Sequence, residues 1–317
     1  MRDMICTSLS LRSGFAGAFI VIRFRDNSIP EQADGVSDLV YTVLFYYERR
    51  VNTMDANEAI RTFYEHYDED GRLLSRHGQV EFLTTMRYIE RCLFPGAKIL
   101  EIGAGTGRYS HALAKMGYAV EAVELVPHNI DVFRSKTAPG ENVSVRQGDA
   151  TALTFFADDR FDVTLLLGPM YHLFTRDAQQ QALREAVRVT KPGGVIMTAY
   201  CMTDPSILAY GFIKGHVHEL LEKKLLDPVS FTASSTPEEV FVLYRTEDIE
   251  ALRKEVPVTP LRLIATDGFT NHMRETVDAM DDETFRVYLD YHFAVCERTD
   301  LLGISHHTLD ICRKEEP

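Results

Sequence analysis

Beyond residue 54 the spacing of hydrophobic and polar positions changes its period repeatedly, and each change marks an element. Over 55–94 the period is helical. Asp55 can cap a helix whose apolar stripe is Ile60, Phe63, Tyr64 and Tyr67. A second helix, about 78–93, sets Val80, Leu83, Met86, Tyr88 and Ile89 at three- and four-residue steps, and Pro95-Gly96 breaks the chain after it. From 97 onward short apolar runs alternate with amphipathic stretches. Strands are expected at 97–103, 118–125, 141–149, 161–168 and 195–201. Helices are expected at 108–117, after Pro127 and at 177–190, with a turn at 191–194. Near-continuous apolar strands that alternate with helices predict a parallel sheet covered on both faces.

Regularity then fails twice. Residues 202–238 read as an insertion, helix then loop. A short strand (239–244), a helix (246–255) and a strand (257–265) follow. Residues 268–300 read as a second helical insertion, and 304–314 as a last strand. Insertions in the late connections of such a sheet are placed to build a substrate-side cap.

Residues 1–53 differ from the rest. They carry six basic and six acidic residues, so the whole net charge, 34 − 47 = −13, lies beyond them. The clean pattern starts at Met54, and the functional chain is expected to begin there, with 1–53 an upstream start-site artefact or an accessory segment. The longest apolar run, 14–22, is far too short to span a membrane. Arg2 and Arg12 precede it, but Arg23 and Arg25 follow at once without a small-residue cleavage site, which argues against a leader peptide.

An acidic surface repels phosphate backbones, so nucleic acid is a poor first choice of partner. Cys6, Cys92, Cys201, Cys296 and Cys312 are scattered and form no CxxC pair. That argues against a disulfide scaffold or a cysteine zinc site and fits a reducing, cytoplasmic setting. His216 and His218 are misplaced for one helix face, and His306 and His307 would point to opposite faces of a strand, so no metal site is expected. Asp68-Glu69-Asp70 and Asp281-Asp282-Glu283 read as helix-start or loop charges.

The most informative stretch is Glu101-Ile102-Gly103-Ala104-Gly105-Thr106-Gly107-Arg108. A strand runs into a glycine turn and then a helix, whose first N–H groups are free for a ligand. A dinucleotide site wants GxGxxG, but the last required glycine is Arg108 here. Glu124 ends the next strand, where a carboxylate can accept bonds from a ribose diol. Gly148-Asp149-Ala150 ends the third, where Asp149 suits either an adenine amino group or an Asx turn.

GxGxG preceded by an acidic residue, with Glu124, Asp149 and the later FDVTLLLGPMYHL and VTKPGGVIM segments, resembles the class I S-adenosylmethionine-dependent methyltransferases. The resemblance covers about 55–317 and is strongest over 97–201. It implies a Rossmann-like, doubly wound α/β sheet of seven strands with the last antiparallel, a helical lid at 54–96 and a core at 97–317. It implies S-adenosylmethionine as cofactor, lined by Gly103, Ala104, Gly105 and Gly107. Glu101 would support the methionine amino end, Glu124 would bind the ribose hydroxyls and Asp149 with Ala150 the adenine, and Leu125 would also touch the cofactor. Leu167 would flank the site, Arg72 or Arg108 would pair with the methionine carboxylate, and Tyr64, Tyr67 and Arg72 are the lid candidates. The acceptor is expected beside Gly168-Pro169-Met170-Tyr171-His172, with His172 a candidate base and Tyr171 a positioning group. That segment is not of the NPPY type, which favours a small-molecule acceptor. The rivals are a nicotinamide-dependent oxidoreductase and a non-catalytic S-adenosylmethionine-binding module.

Overall fold

The computed structural model of the chain describes residues 4–14, 17–26, 45–47, 55–67 and 69–316. The chain divides into two units, Met1–Thr53 and Met54–Pro317. In the first, β1 (Met4–Gly14), β2 (Gly17–Asp26) and β3 (Phe45–Tyr47) form an antiparallel sheet in the order β1-β2-β3.

The second unit opens with α1 (Ala56–His66), capped by the Asp55 side chain on the N–H of Asn57. Short α2 (Glu69–Arg72) and α3 (Arg76–Glu90) follow. The alternating stretch is β4 (Lys98–Ile102), α4 (Arg108–Lys115), β5 (Ala119–Glu124), α5 (Pro127–Lys136), β6 (Val143–Gln147), β7 (Phe161–Leu166), α6 (Arg176–Val189) and β8 (Thr190–Cys201). The first insertion holds α7 (Thr203–Ser206), a π-helical stretch (Ile207–Ile213) and α8 (Val217–Glu222). Then come α9 (Thr246–Arg253), β9 (Val258–Ala265), α10 (Arg274–Asp278), α11 (Asp282–Val295) and β10 (His307–Lys314).

The large sheet runs β6-β5-β4-β7-β8-β10-β9. Strands β4 to β8 pair in parallel, whereas β10 is antiparallel to both β8 and β9. The sequence predicts this seven-stranded, doubly wound sheet with its last strand reversed. Alternation along the strands feeds two cores. Leu100, Ile102, Leu166, Ile196 and Tyr200 pack against α6 and α9 through Leu183, Ala186, Ile249 and Leu252. Ile99, Val163, Leu165, Met197 and Leu309 pack on the other face against Ile89, Tyr109 and Leu113. Both faces are buried, which is why these strands read as near-continuous apolar runs.

Two expectations are corrected. Residues 239–244 form no strand. Pro237–Glu239 is a 3-10 turn, Val240 has φ 66° and only Tyr244 makes a bridge, to Met202. Val240, Val242 and Tyr244 alternate like a strand because they face the core, but their backbone bonds form no ladder. The Val242 N–H donates to the Tyr171 carbonyl at 2.7 Å and that of Tyr244 to Cys201 at 2.8 Å. The turn at 191–194 is a bulged start of β8, where the register against β7 slips between Phe161 and Val163.

Candidate active site

Strands β4, β5, β6 and β7 all end on one cavity, at the edge where open α/β sheets take ligands. The chain leaves β4 through N–H groups of Gly103 and Ala104 that both donate to the Val123 carbonyl, at 2.8 and 3.1 Å. Gly103, Gly105 and Gly107 have φ of +75°, +53° and +85°, the left-handed region that glycine tolerates. Their surroundings separate them. A Cβ on Gly103 would lie 2.5 Å from Cδ of Pro169, and one on Gly107 would lie 2.4 Å from Cδ2 of Phe133. Gly107 is buried against that ring and does not line the cavity. Gly105 does line it, and its nearest neighbour would be Cγ of Glu69 at 3.4 Å.

Three carboxylates stand at successive strand ends. Glu101 is fully buried on β4, takes a hydrogen bond from the Ser110 hydroxyl, and is raised by burial to about 8. Glu124 is buried at the end of β5. Its Oε2 accepts from the Gly105 N–H at 2.8 Å, and its Oε1 accepts from the Val126 N–H at 2.9 Å and from Asn129 at 3.4 Å. Burial pushes its pKa up against those bonds. Glu124 thus ties the glycine loop to the start of α5, a contact that no spacing argument revealed. Asp149 accepts from Thr151 N–H and hydroxyl, both on Oδ1, at 2.8 and 2.7 Å, which is the Asx turn. It still lines the cavity, beside Ala150, Leu125 and Leu167.

Helices α1 and α2 cover this edge. Tyr64 and Arg72 line the cavity, whereas Tyr67 lines only the adjoining one and stacks on Phe63 at 4.9 Å. Arg72 donates to Glu81 at 2.8 Å and to Glu69 at 3.3 Å. Arg108 lies over the Phe82 ring at 4.7 Å, and its Nε is buried with no partner. Sequence reasoning read Glu69 only as one of the helix-start or loop charges of Asp68-Glu69-Asp70 and gave it no place in the site. It sits in a four-residue helix with no periodicity to read, and Asp68 beside it lies outside the described residues.

Beyond β7, Pro169–His172 is a 3-10 turn that brings Tyr171 and His172 to the same cavity. The Tyr171 hydroxyl donates to the Leu167 carbonyl at 2.8 Å. His172 is buried; its Nδ1 lies 2.9 Å from the Val240 carbonyl and its Nε2 lies 2.9 Å from the Tyr64 hydroxyl. Burial lowers its pKa to about 4. Sequence reasoning named Tyr64 for the lid but not as the partner of His172, because 108 residues separate them.

The histidines outside this cavity differ from one another. His216 stacks on Tyr210 at 4.4 Å and bonds Glu219 at 3.2 Å. His307 lies with Glu81 and Asp267 so that one ligand atom of each falls within 4.8 Å of the others. Its members already have partners within the protein, His307 with Asp267 at 2.7 Å and Glu81 with Arg72 at 2.8 Å. Each partner is far away in sequence, which hid the cluster from spacing arguments.

Comparison with known proteins bears on this fold and site. Residues 99–194 match the family model of the methyltransferase domain. That match covers the glycine loop and the strands on either side of it, and it agrees with the resemblance to the class I S-adenosylmethionine-dependent methyltransferases. It is 36% identical over 141 residues to a demethylmenaquinone methyltransferase of Clavibacter sepedonicus, covering 44% of this chain and 55% of that one. It is 29% identical over 171 residues to a ubiquinone biosynthesis O-methyltransferase of Cereibacter sphaeroides, covering 53% and 66%. The chain therefore spans only part of the length of these relatives. Among solved structures, its fold is similar to magnesium protoporphyrin IX methyltransferase from Synechocystis with bound S-adenosylhomocysteine. The TM-score is 0.51 at 12% identity, over 82% of this chain and 100% of that one. A Haloferax volcanii methyltransferase in complex with the Trm112 activator gives 0.52 at 19% identity, over 81% and 98%. Among the described residues no helix is long and apolar enough to cross a membrane.

Proposed function

We propose that this chain moves a methyl group from S-adenosylmethionine to a small-molecule acceptor. The observation that carries the reading is the convergence of the Gly103–Gly105 bend, Glu124 and Asp149 on one cavity. The residues fit the cofactor: a bare backbone at Gly105, and a buried guanidinium nitrogen of Arg108 that has no protein partner. Glu101 would hold the amino end, Glu124 the ribose hydroxyls, Asp149 with Ala150 the adenine, and Arg108 or Arg72 the carboxylate. The cofactor would supply an electrophilic methyl on a cationic sulfur that leaves as a neutral thioether.

The protein's part is mainly alignment of the acceptor's nucleophile with that methyl. Tyr64 and Tyr171 line both this cavity and the next, and so stand where an acceptor would meet the cofactor. Where the nucleophile carries a proton, His172 accepts it through Tyr64, whose hydroxyl already bonds Nε2. The names of the relatives, which concern quinone synthesis, support a small organic acceptor.

Calorimetric titration with S-adenosylhomocysteine and, separately, NADH tests the reading. The expected result is binding of the first alone; binding of NADH alone would overturn it in favour of an oxidoreductase. Glu124→Ala should weaken S-adenosylhomocysteine by about 1–3 kcal/mol. Turnover of the cofactor in a metabolite extract distinguishes an enzyme from a binding module.

A further inference from the structure

Three cavities lie in series. The glycine-loop cavity shares Tyr64, Glu69, Arg72 and Tyr171 with a second one. That second cavity shares Cys201, Phe241, Arg274 and His307 with a third. The second and third measure about 480 Å³ each, a size that suits a ligand of many atoms.

Their chemistry differs. In the second cavity the charged groups are matched within the protein: Arg72 to Glu81, His307 to Asp267, and His77 to Asp278 at 2.7 Å. Arg274 is the exception. Its Nε donates to the Asn271 amide oxygen at 2.6 Å, and among the described residues no carboxylate pairs with it. The remaining N–H groups of its planar fork are free to meet a carboxylate side by side. It stands at the junction of the second and third cavities. The third cavity is walled by Ile207, Leu220, Leu225, Leu226 and Leu243, with Ser234 and Glu239 at the wall too. Most of that wall comes from the first insertion.

We propose that the methyl acceptor is an amphipathic carboxylate. Its nucleophilic end lies in the second cavity near Tyr64 and Tyr171, its carboxylate meets Arg274, and its apolar body lodges in the third cavity. This rests on reading the glycine-loop cavity as the cofactor site. Arg274 then selects for the anion and the first insertion for the apolar body, so neither short polar acceptors nor neutral ones are held well.

The test uses the full chain saturated with S-adenosylhomocysteine, whose own affinity is read first. Three probes are then titrated: 4-hexyloxybenzoate, its uncharged amide 4-hexyloxybenzamide, and benzoate. The hexyloxy acid should bind at least about tenfold more tightly than either of the others, since its tail buries several methylenes. Arg274→Gln should erase the advantage of the acid over the amide. Ala233→Phe, which fills the third cavity, should erase the advantage of the long acid over benzoate. Equal affinity for acid and amide, or no gain from the tail, overturns the proposal while leaving the cofactor reading intact. Failure of S-adenosylhomocysteine to bind overturns both.

Discussion

The Tyr64 hydroxyl meets Nε2 of His172 at 2.9 Å, joining a helix before the sheet to the turn after β7. The roles in this bond follow from the far side of the ring. Nδ1 lies 2.9 Å from the Val240 carbonyl, which can only accept, so Nδ1 carries the proton. Burial holds the pKa at about 4, so the neutral ring leaves Nε2 as an acceptor and Tyr64 donates. The ring nitrogens of His172 in a nitrogen-15 spectrum at pH 7 should therefore report a protonated Nδ1 and a bare Nε2. A bare Nδ1, or titration near 6.5, would contradict the assignment. Tyr64→Phe strands Nε2 in a buried place and should cost about 1–3 kcal/mol in chemical denaturation.

Two glycines of one loop should fail in different ways. A Cβ at Gly107 would enter the ring of Phe133, at a left-handed φ of +85°. Gly107→Ala should cost the fold roughly 1–3 kcal/mol from strain and overpacking. At Gly105 the nearest contact is the Glu69 side chain at 3.4 Å, in the space the cavity occupies. Gly105→Val should abolish S-adenosylhomocysteine binding while the melting transition persists. Unchanged affinity in Gly105→Val would refute the assignment of the loop.

The contrast explains how far the chain could be read without coordinates. Elements buried on both faces were legible, because β4 and β7 carry near-continuous apolar runs and Gly117 follows α4 with φ +94°. The loop and its two neighbouring carboxylates were legible for the same reason, since each sits at a strand end. What stayed hidden depends on contacts between distant segments. Val240 and Val242 alternate like a strand, yet bond to His172 and to Tyr171 as a loop. Gly107 fits the ligand motif by position, but a phenyl ring from α5 occupies the place of its missing side chain. Glu69 lies in a helix too short to leave a period.

His292 supplies a pH-dependent contribution that a single variant isolates. It is buried, its Nε2 has no partner, and burial lowers its pKa from the ordinary 6.5 to about 4, against an opposing pull from Asp267. The unfolded chain binds this proton below 6.5, and the folded chain only below about 4. The contribution to stability is therefore complete above 6.5 and is lost as pH falls from there to 4, by up to about 3 kcal/mol. His292→Gln removes the titration. Wild type should lose stability relative to this variant between pH 6.5 and 4 in urea denaturation, and a pH-independent difference would contradict the burial argument.

Glu101 should make cofactor binding release a proton. Among the described residues no cationic side chain bonds its carboxyl, which Ser110 meets with its hydroxyl and backbone N–H, and burial lifts its pKa to about 8. At pH 7 the folded protein therefore holds Glu101 largely protonated. An ammonium group arriving beside it favours the carboxylate, because opposite charges in a buried place attract strongly. The proton must leave to the buffer. Titrations of S-adenosylhomocysteine at pH 7 in buffers of different ionisation enthalpy should show release of a substantial fraction of one proton. Release should fade above pH 9, where the carboxyl is already ionised, and should vanish in Glu101→Gln, with weaker binding. A heat of binding that is independent of the buffer at pH 7 would show that no ammonium group reaches this carboxyl, and would remove Glu101 from the cofactor site.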